Sequence, residues 1–356
     1  MNQNYEYIKP RKSNCVKSGL DPLVKEWFFS KFKDFSLTQL YGVMPIFERK
    51  NILVSAPTGG TKTLTAFLSI LNYLVGLAKK EELEGRVYAV YCSPLKALSN
   101  DISINLKNPL KEIEELAKKK GIKMQKIRVG LRTGDTSQSE RARMSRKPPH
   151  ILVTTPESLA IMINSPKFSE RFNMVEFMIL DEIHSLAENK RGVHLSLTIE
   201  RLQELSLIPL TRIGLSATVA PLEDIANFLV GQSTQTSLSQ TSINENEKQN
   251  NFERSCLIAK VDLKKNLDLN VLSPVEDFLN TGSADLHRNF YGLIDELIQK
   301  HKTTLIFTNT RNSTERVVHH LKDLYPQSYT ENIGAHHSSL SKDHRFNLEQ
   351  RLREGK

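Results

Sequence analysis

Cysteine is scarce: Cys15, Cys92 and Cys256 are the only thiols in 356 residues. They are far apart and odd in number, which excludes a disulfide framework and offers no metal-ligand spacing. A reducing, cytoplasmic setting is therefore expected. Long apolar runs are also missing, the longest falling well short of the about 20 residues a membrane span needs. The first residues are polar and charged, so no signal peptide is read and no membrane partner is expected.

What is present is an ordinary globular composition, 39% hydrophobic and 25% charged. The length suits about two domains with sizeable cores. A net charge of +9 favours a polyanionic partner. The charge is spread through the chain, so a basic surface without a partner is the alternative.

The stretch Ser55-Ala56-Pro57-Thr58-Gly59-Gly60-Thr61-Lys62-Thr63 follows the apolar run Asn51–Val54 and precedes a predicted helix from Leu64 to Leu77. Strand, small-residue loop and helix are the context in which backbone N–H groups cradle phosphates. Lys62 would reach the β/γ oxygens and Thr63 would hold Mg²⁺. A Gly-rich turn with no ligand is the competing reading, because Thr61 stands where glycine is usual before the lysine.

Apolar runs at 87–91, 126–131, 151–153, 175–180 and 213–215 alternate with helical patterns, which predicts a parallel α/β sheet covered on both faces. Each polar motif falls at a strand's C-terminal end, the edge where such sheets bind ligands. Asp181 and Glu182 follow the run at 175–180. Asp181 can hold the metal and Glu182 can orient water; paired acids also occur as simple helix N-terminal charges. Gln39 offers both a donor and an acceptor to an adenine edge, although a Gln in a loop is commonly just solvated. His184, Ser216 and Thr218 can link nucleotide state to a second domain. The basic run Arg141–Lys147 fits either phosphate contact or a solvated helix face.

Residues 1–35 read as a lead-in carrying the aromatic patch Trp27-Phe28-Phe29, and 36–231 as the main α/β domain. Residues 232–285 read as a polar linker, rich in Gln, Ser, Thr and Asn to position 251, with strands that connect two domains. From 286 to 356 a second α/β domain is expected to begin, with a strand at Thr304–Phe307.

The ordered set resembles the superfamily-2 nucleic-acid helicases of the DEAD/DEAH class and is most similar to the large helicase-related (Lhr) family. The carriers are Thr38-Gln39, Ala56–Thr63, Ser93–Leu98, Arg132–Thr136, Thr154–Leu159, Asp181-Glu182-Ile183-His184, Lys190–Leu195, Gly214–Thr218, Ile306–Arg311 and His336–Ser341. The resemblance implies two RecA-like domains, the second incomplete here, with ATP and Mg²⁺ between them. Its partner would be single-stranded or partially duplex DNA or RNA. It implies phosphate contacts for Lys62 within the loop Ala56 to Thr63, Mg²⁺ at Thr63 and Asp181, the attacking water at Glu182, and adenine at Gln39. Ser93, Pro94, Lys96, Thr133, Gly134, Thr154 and Thr155 would lie along the nucleic-acid backbone, where phosphate and sugar contacts carry little sequence preference. Ser216 and Thr218 would couple hydrolysis to strand movement. A P-loop kinase or GTPase has no use for Gln39, the Ser-Ala-Thr or the Thr-Thr-Pro-Glu stretch.

Two departures qualify the expectation. The family's loop reads Gly-Ser-Gly-Lys-Thr, and a Cβ at Thr61 can cost about 1–3 kcal/mol if the loop must hold strain. The family's arginine finger would follow Lys356, and such fingers contribute about 10³–10⁵ in rate. Weak hydrolysis by this chain alone is expected, and an ATP- and nucleic-acid-binding module with little turnover is the alternative.

Overall fold

The computed structural model describes residues 5–57, 61–94, 102–231, 254–262 and 268–355. The chain divides into two units, Met1–Lys264 and Lys265–Lys356.

The first unit is built on an eight-stranded sheet: β1 (Tyr5–Tyr7), β2 (Ile52–Ser55), β3 (Ala89–Cys92), β4 (Val129–Arg132), β5 (Ile151–Thr154), β6 (Phe177–Leu180), β7 (Thr211–Ser216) and β8 (Cys256–Lys260). Their order is β1-β8-β2-β7-β6-β3-β5-β4, and every pairing is parallel. Strands β2, β3, β5, β6 and β7 are buried along their whole length. Such uninterrupted apolar runs are what a sheet covered on both faces demands.

Side chains alternate between two cores, as the two-residue strand period requires. Ile52, Val54, Tyr91, Val153 and Ile179 join helices Pro22–Lys31, Leu37–Phe47, Thr61–Lys80 and Asn108–Lys119 on one face. Leu53, Val90, Leu152, Met178 and Leu180 join helices Pro156–Ile163, Lys190–Leu205 and Leu222–Val230 on the other. Helix Thr61–Lys80 has the length and hydropathy of a membrane span, yet 72% of its apolar window is buried inside the unit. It is a core helix. Gly42 lets helix Leu37–Phe47 approach it, because a Cβ there would lie 2.6 Å from Thr65 Cγ2.

The first unit is larger than the sequence divisions at 35/36 and 231/232 suggest. In the expected lead-in, β1 pairs with β8, and Val16, Leu23, Val24, Trp27 and Phe28 are buried in the same core as the sheet. Trp27 Nε1 donates to Glu112 Oε2 at 2.7 Å. The stretch expected to connect two domains supplies β8, which sits between β1 and β2. Polar composition after Gly231 therefore does not mark the end of the sheet.

The second unit contains helices Ser283–Gln299, Arg311–Leu324 and Lys342–Glu354, the short helix Pro326–Tyr329, and a small core of Tyr291, Leu321 and Tyr329. The strand expected at Thr304–Phe307 does not form: Leu305 is 64% and Phe307 90% exposed. A strand exists through ladder hydrogen bonds to a neighbour, and no described residue of this unit is a strand. Leu269 and Val271 are likewise exposed and outside any strand.

Candidate functional site

Strand register brings the motif residues to one edge. Ser55 at the end of β2 pairs with Ser216 of β7. Leu180 and Thr154, at the ends of β6 and β5, both pair with Cys92 of β3. Arg132 at the end of β4 pairs with Thr154. The residues that follow these positions therefore share the C-terminal edge of the sheet.

The phosphate-loop candidate is stitched to the Ser-Ala-Thr segment: Ala56 N donates to Ser216 O at 3.2 Å and Ser55 Oγ to Ala217 O at 3.2 Å. Thr58, Gly59 and Gly60 lie outside the described residues. Thr61 opens helix Thr61–Lys80, with Thr63 two residues on. Its hydroxyl donates to Thr38 Oγ1 at 3.1 Å, so the side chain in the glycine's place ties the loop to helix Leu37–Phe47. Lys62 is buried and folds back so that Nζ donates to Ala56 O at 2.8 Å. Burial lowers its pKa, while the charges of Glu182 and Asp181 act in the opposite direction. An ammonium carries three donors, and the Ala56 carbonyl accepts from it.

Asp181 follows β6, and both its carboxylate oxygens are engaged. Tyr91 Oη donates to Oδ2, and Glu182 N donates to Oδ1 at 2.9 Å. Burial raises its pKa above the ordinary aspartate value, and the neighbouring Glu182 charge adds to that; the Tyr91 hydrogen bond opposes it. Tyr91 is itself fixed by stacking on Phe67, centroids 5.1 Å apart.

Glu182 has φ of +48°, a left-handed conformation that costs a non-glycine residue about 1–3 kcal/mol and clusters at functional sites. Its neighbours hold it there. Ile183 N donates to Leu215 O at 3.1 Å, and the Glu182 carboxylate lies 3.3 Å from His184 Nε2. The amide of Ala217 can only donate, and it reaches His184 Nδ1 at 3.3 Å, with Ser216 Oγ also 3.3 Å away. Nδ1 is therefore an acceptor, and the ring proton sits on Nε2 facing Glu182. Glu182, His184 and Ser216 form one continuous polar chain between the ends of β6 and β7. Thr218 is exposed beyond it.

Gln39 is neither in a loop nor solvated. It is the third residue of helix Leu37–Phe47 and 2% exposed. Its Oε1 accepts from Ser36 N at 2.8 Å while its N donates to Ser36 Oγ at 3.3 Å, a reciprocal capping box. The Ser36-x-x-Gln39 spacing was the available signal for this arrangement. The amide's two N–H donors and second oxygen lone pair remain for a ligand.

Of the residues expected along a nucleic-acid backbone, Ser93, Thr154 and Thr155 are buried, and the two threonine side chains hydrogen-bond within the edge. Thr154 Oγ1 donates to Arg132 O at 2.7 Å and Thr155 Oγ1 to Ser158 Oγ at 3.1 Å; Ser93 N donates to Thr154 O at 3.2 Å. Thr133 caps its own turn, accepting from Asp135 N at 3.3 Å, and Gly134 is exposed. Lys96 lies outside the described residues.

Two arginines hold these loops. Arg141 donates to Thr136 O at 2.9 Å and Gly134 O at 2.8 Å, so it fastens a loop, a role neither sequence reading gave it. Arg191 donates to Glu157 Oε1 at 2.7 Å and Pro94 O at 3.2 Å, bridging the ends of β3 and β5. The glycine after it is obligatory, because a Cβ on Gly192 would lie 1.9 Å from Leu186 O.

Comparison with known proteins matches this arrangement. Residues 37–225 fit the DEAD/DEAH box helicase family. The chain is 48% identical over 351 residues to the ATP-dependent helicase Lhr-Core of Methanocaldococcus jannaschii, covering 98% of this chain and 38% of that protein. The Lhr-Core of Methanothermobacter thermautotrophicus is 50% identical over 344 residues, covering 96% and 38%. The solved Mycobacterium smegmatis helicase Lhr, bound to ssDNA and AMP-PNP, superposes with a TM-score of 0.77 at 34% identity, over 96% of this chain and 41% of that one. The chain thus spans under half the length of these relatives, and its α/β fold is that of their RecA-like helicase core. This chain belongs to the DEAD/DEAH box helicase family.

Proposed function

We propose that the first unit is the ATP-binding core of an Lhr-type, ATP-dependent helicase or translocase that moves along single-stranded nucleic acid. The observation that carries the reading is the polar chain from Asp181 through Glu182 and His184 to Ser216 at one sheet edge, with the buried Lys62 ammonium in the field of both carboxylates. In this reading the loop from Ala56 to Thr63 cradles the phosphates, Lys62 reaches the terminal ones, and the amide of Gln39 reads the adenine. Glu182 orients the attacking water, with its carboxylate facing His184 Nε2 at 3.3 Å. His184, Ser216 and Thr218 carry the nucleotide's state to the loops that hold the strand.

The donor set suits Mg²⁺: a threonine hydroxyl and a carboxylate are hard oxygen ligands, and the raised pKa of Asp181 marks a buried charge that gains from a cation. Thr63 and Asp181 would hold it, and it would neutralise charge on the phosphate oxygens.

The nucleic acid lies along the ends of β3, β4 and β5, on exposed backbone at Gly134 and on the amides of loops shaped by Ser93, Pro94, Thr133, Thr154 and Thr155. Arg141 and Arg191 position those loops. DNA or RNA, single-stranded or partially duplex, suits a surface that reads backbone. The second unit is the start of a second RecA-like domain in this proposal. The buried thiols Cys92 and Cys256 suit a reducing cytosol.

The test is phosphate release by the full-length protein with and without single-stranded DNA or RNA. Nucleic acid stimulates release in the wild type and has no effect in Lys62→Ala; equal stimulation in both would overturn the assignment.

A further inference from the structure

Helix Arg311–Leu324 of the second unit carries an array of nitrogen and oxygen donors that the ATPase reading does not use. One ligand atom from each of His319, His320 and Asp323 lies within 4.8 Å of the others. His319 and Asp323 are one helical turn apart, with Nδ1 and Oδ2 already 2.7 Å from each other. A simple i,i+4 ion pair accounts for those two residues and for nothing else. It does not account for His320, nor for His287 on helix Ser283–Gln299, whose ring centroid is 4.5 Å from that of His320. Two helices thus gather three imidazoles and a carboxylate in one place.

We propose that His319, His320 and Asp323 form a transition-metal site of the Zn²⁺ type, with its remaining coordination open to solvent. Two imidazoles and a carboxylate are a known zinc donor set, with bonds near about 2.0–2.1 Å. Tetrahedral angles then place ligand atoms about 3.3 Å apart, against the present spacing of up to 4.8 Å. Imidazole nitrogen favours Zn²⁺ over Mg²⁺ or Ca²⁺.

The test is metal titration of the chelator-stripped full-length protein in excess Mg²⁺, which keeps the nucleotide site out of the measurement. Co²⁺ is followed by its visible absorption and Zn²⁺ by calorimetry. The wild type takes up one Co²⁺ per chain with the spectrum of a low-coordinate site, and Zn²⁺ displaces it. His319→Ala and Asp323→Ala each weaken binding by at least about tenfold, and the pair His319→Ala/His320→Ala abolishes it. Asp181→Asn keeps the spectrum unchanged. Circular dichroism checks the fold, and His319, 73% exposed, is the variant that decides if changes at His320 unfold the unit. Unchanged Zn²⁺ affinity in the double variant, or no uptake by the wild type, would overturn the site.

Discussion

Asp181, a metal ligand in the proposed function, is a side chain whose charge is costly to the fold. Its raised pKa means that the folded state disfavours the charged form, so a neutral replacement relieves the fold at any pH above that pKa. Asp181→Asn should therefore raise the melting temperature of the ligand-free protein at pH 7.5, and by less at about pH 4, in the ordinary aspartate range, where the cost of the charged form fades. Thermal denaturation at the two pH values checks both sign and trend. Tyr91 acts on the same carboxylate from the end of β3. Tyr91→Phe removes a donor to a buried anion, and the Mg²⁺ concentration for half-maximal ATP hydrolysis should rise about tenfold, with ATP concentration held saturating. Lys62 and Asp181 were legible in the sequence because a strand, a short loop and a charged residue are local patterns. Tyr91 and Arg191 were not, because their partners lie 34 to 97 residues away, and distant pairing is set by strand order; Arg141 was hidden in a basic run, although its loop partners are 5 and 7 residues away.

Among elements, the loops at the ends of β3, β4 and β5 are held by exposed or partly exposed side chains, and their geometry matters more than their stabilising energy. The Arg191–Glu157 pair is about half exposed on both sides, the kind of ion pair that contributes 0–1 kcal/mol at most, roughly. Arg191→Ala should leave the melting temperature within about 4 °C of wild type. It should weaken single-stranded nucleic-acid binding severalfold with ATP affinity unchanged. Fluorescence anisotropy with a labelled strand and a labelled nucleotide separates the two effects. The helix carrying Gln39 shows where local reading stops short. Its capping box is written in Ser36 and Gln39, but the burial of the same side chain is tertiary and is not written in that spacing.

Over the whole molecule, the alternation of apolar runs with helical patterns was enough to predict a parallel, doubly covered sheet, since each strand run is short and each motif ends one. The limits of that sheet were not legible. β8 follows a polar stretch that looks like a domain boundary, and β1 is only three residues long; both are fixed by pairing with strands distant in sequence. The aromatic residues of the N-terminal helices belong to the same core. Phe28 is fully buried among Phe29, Phe32 and Phe35, so Phe28→Ala should destabilise the first unit by about 3–5 kcal/mol. The chain's single tryptophan, Trp27, is 4% exposed and reports that loss directly in a denaturant titration. In the second unit the expected strand has no neighbour among the described residues, and a strand's existence depends on its partner more than on its own composition.

The central claim is that Glu182 acts on water while Lys62 acts on phosphate. Paired measurement of nucleotide affinity and phosphate release in the full-length protein tests it most directly. Glu182→Gln should bind ATP within about threefold of wild type while losing at least about 10²-fold in release rate, whereas Lys62→Ala should lose both. A Glu182→Gln protein that releases phosphate at the wild-type rate would contradict the account.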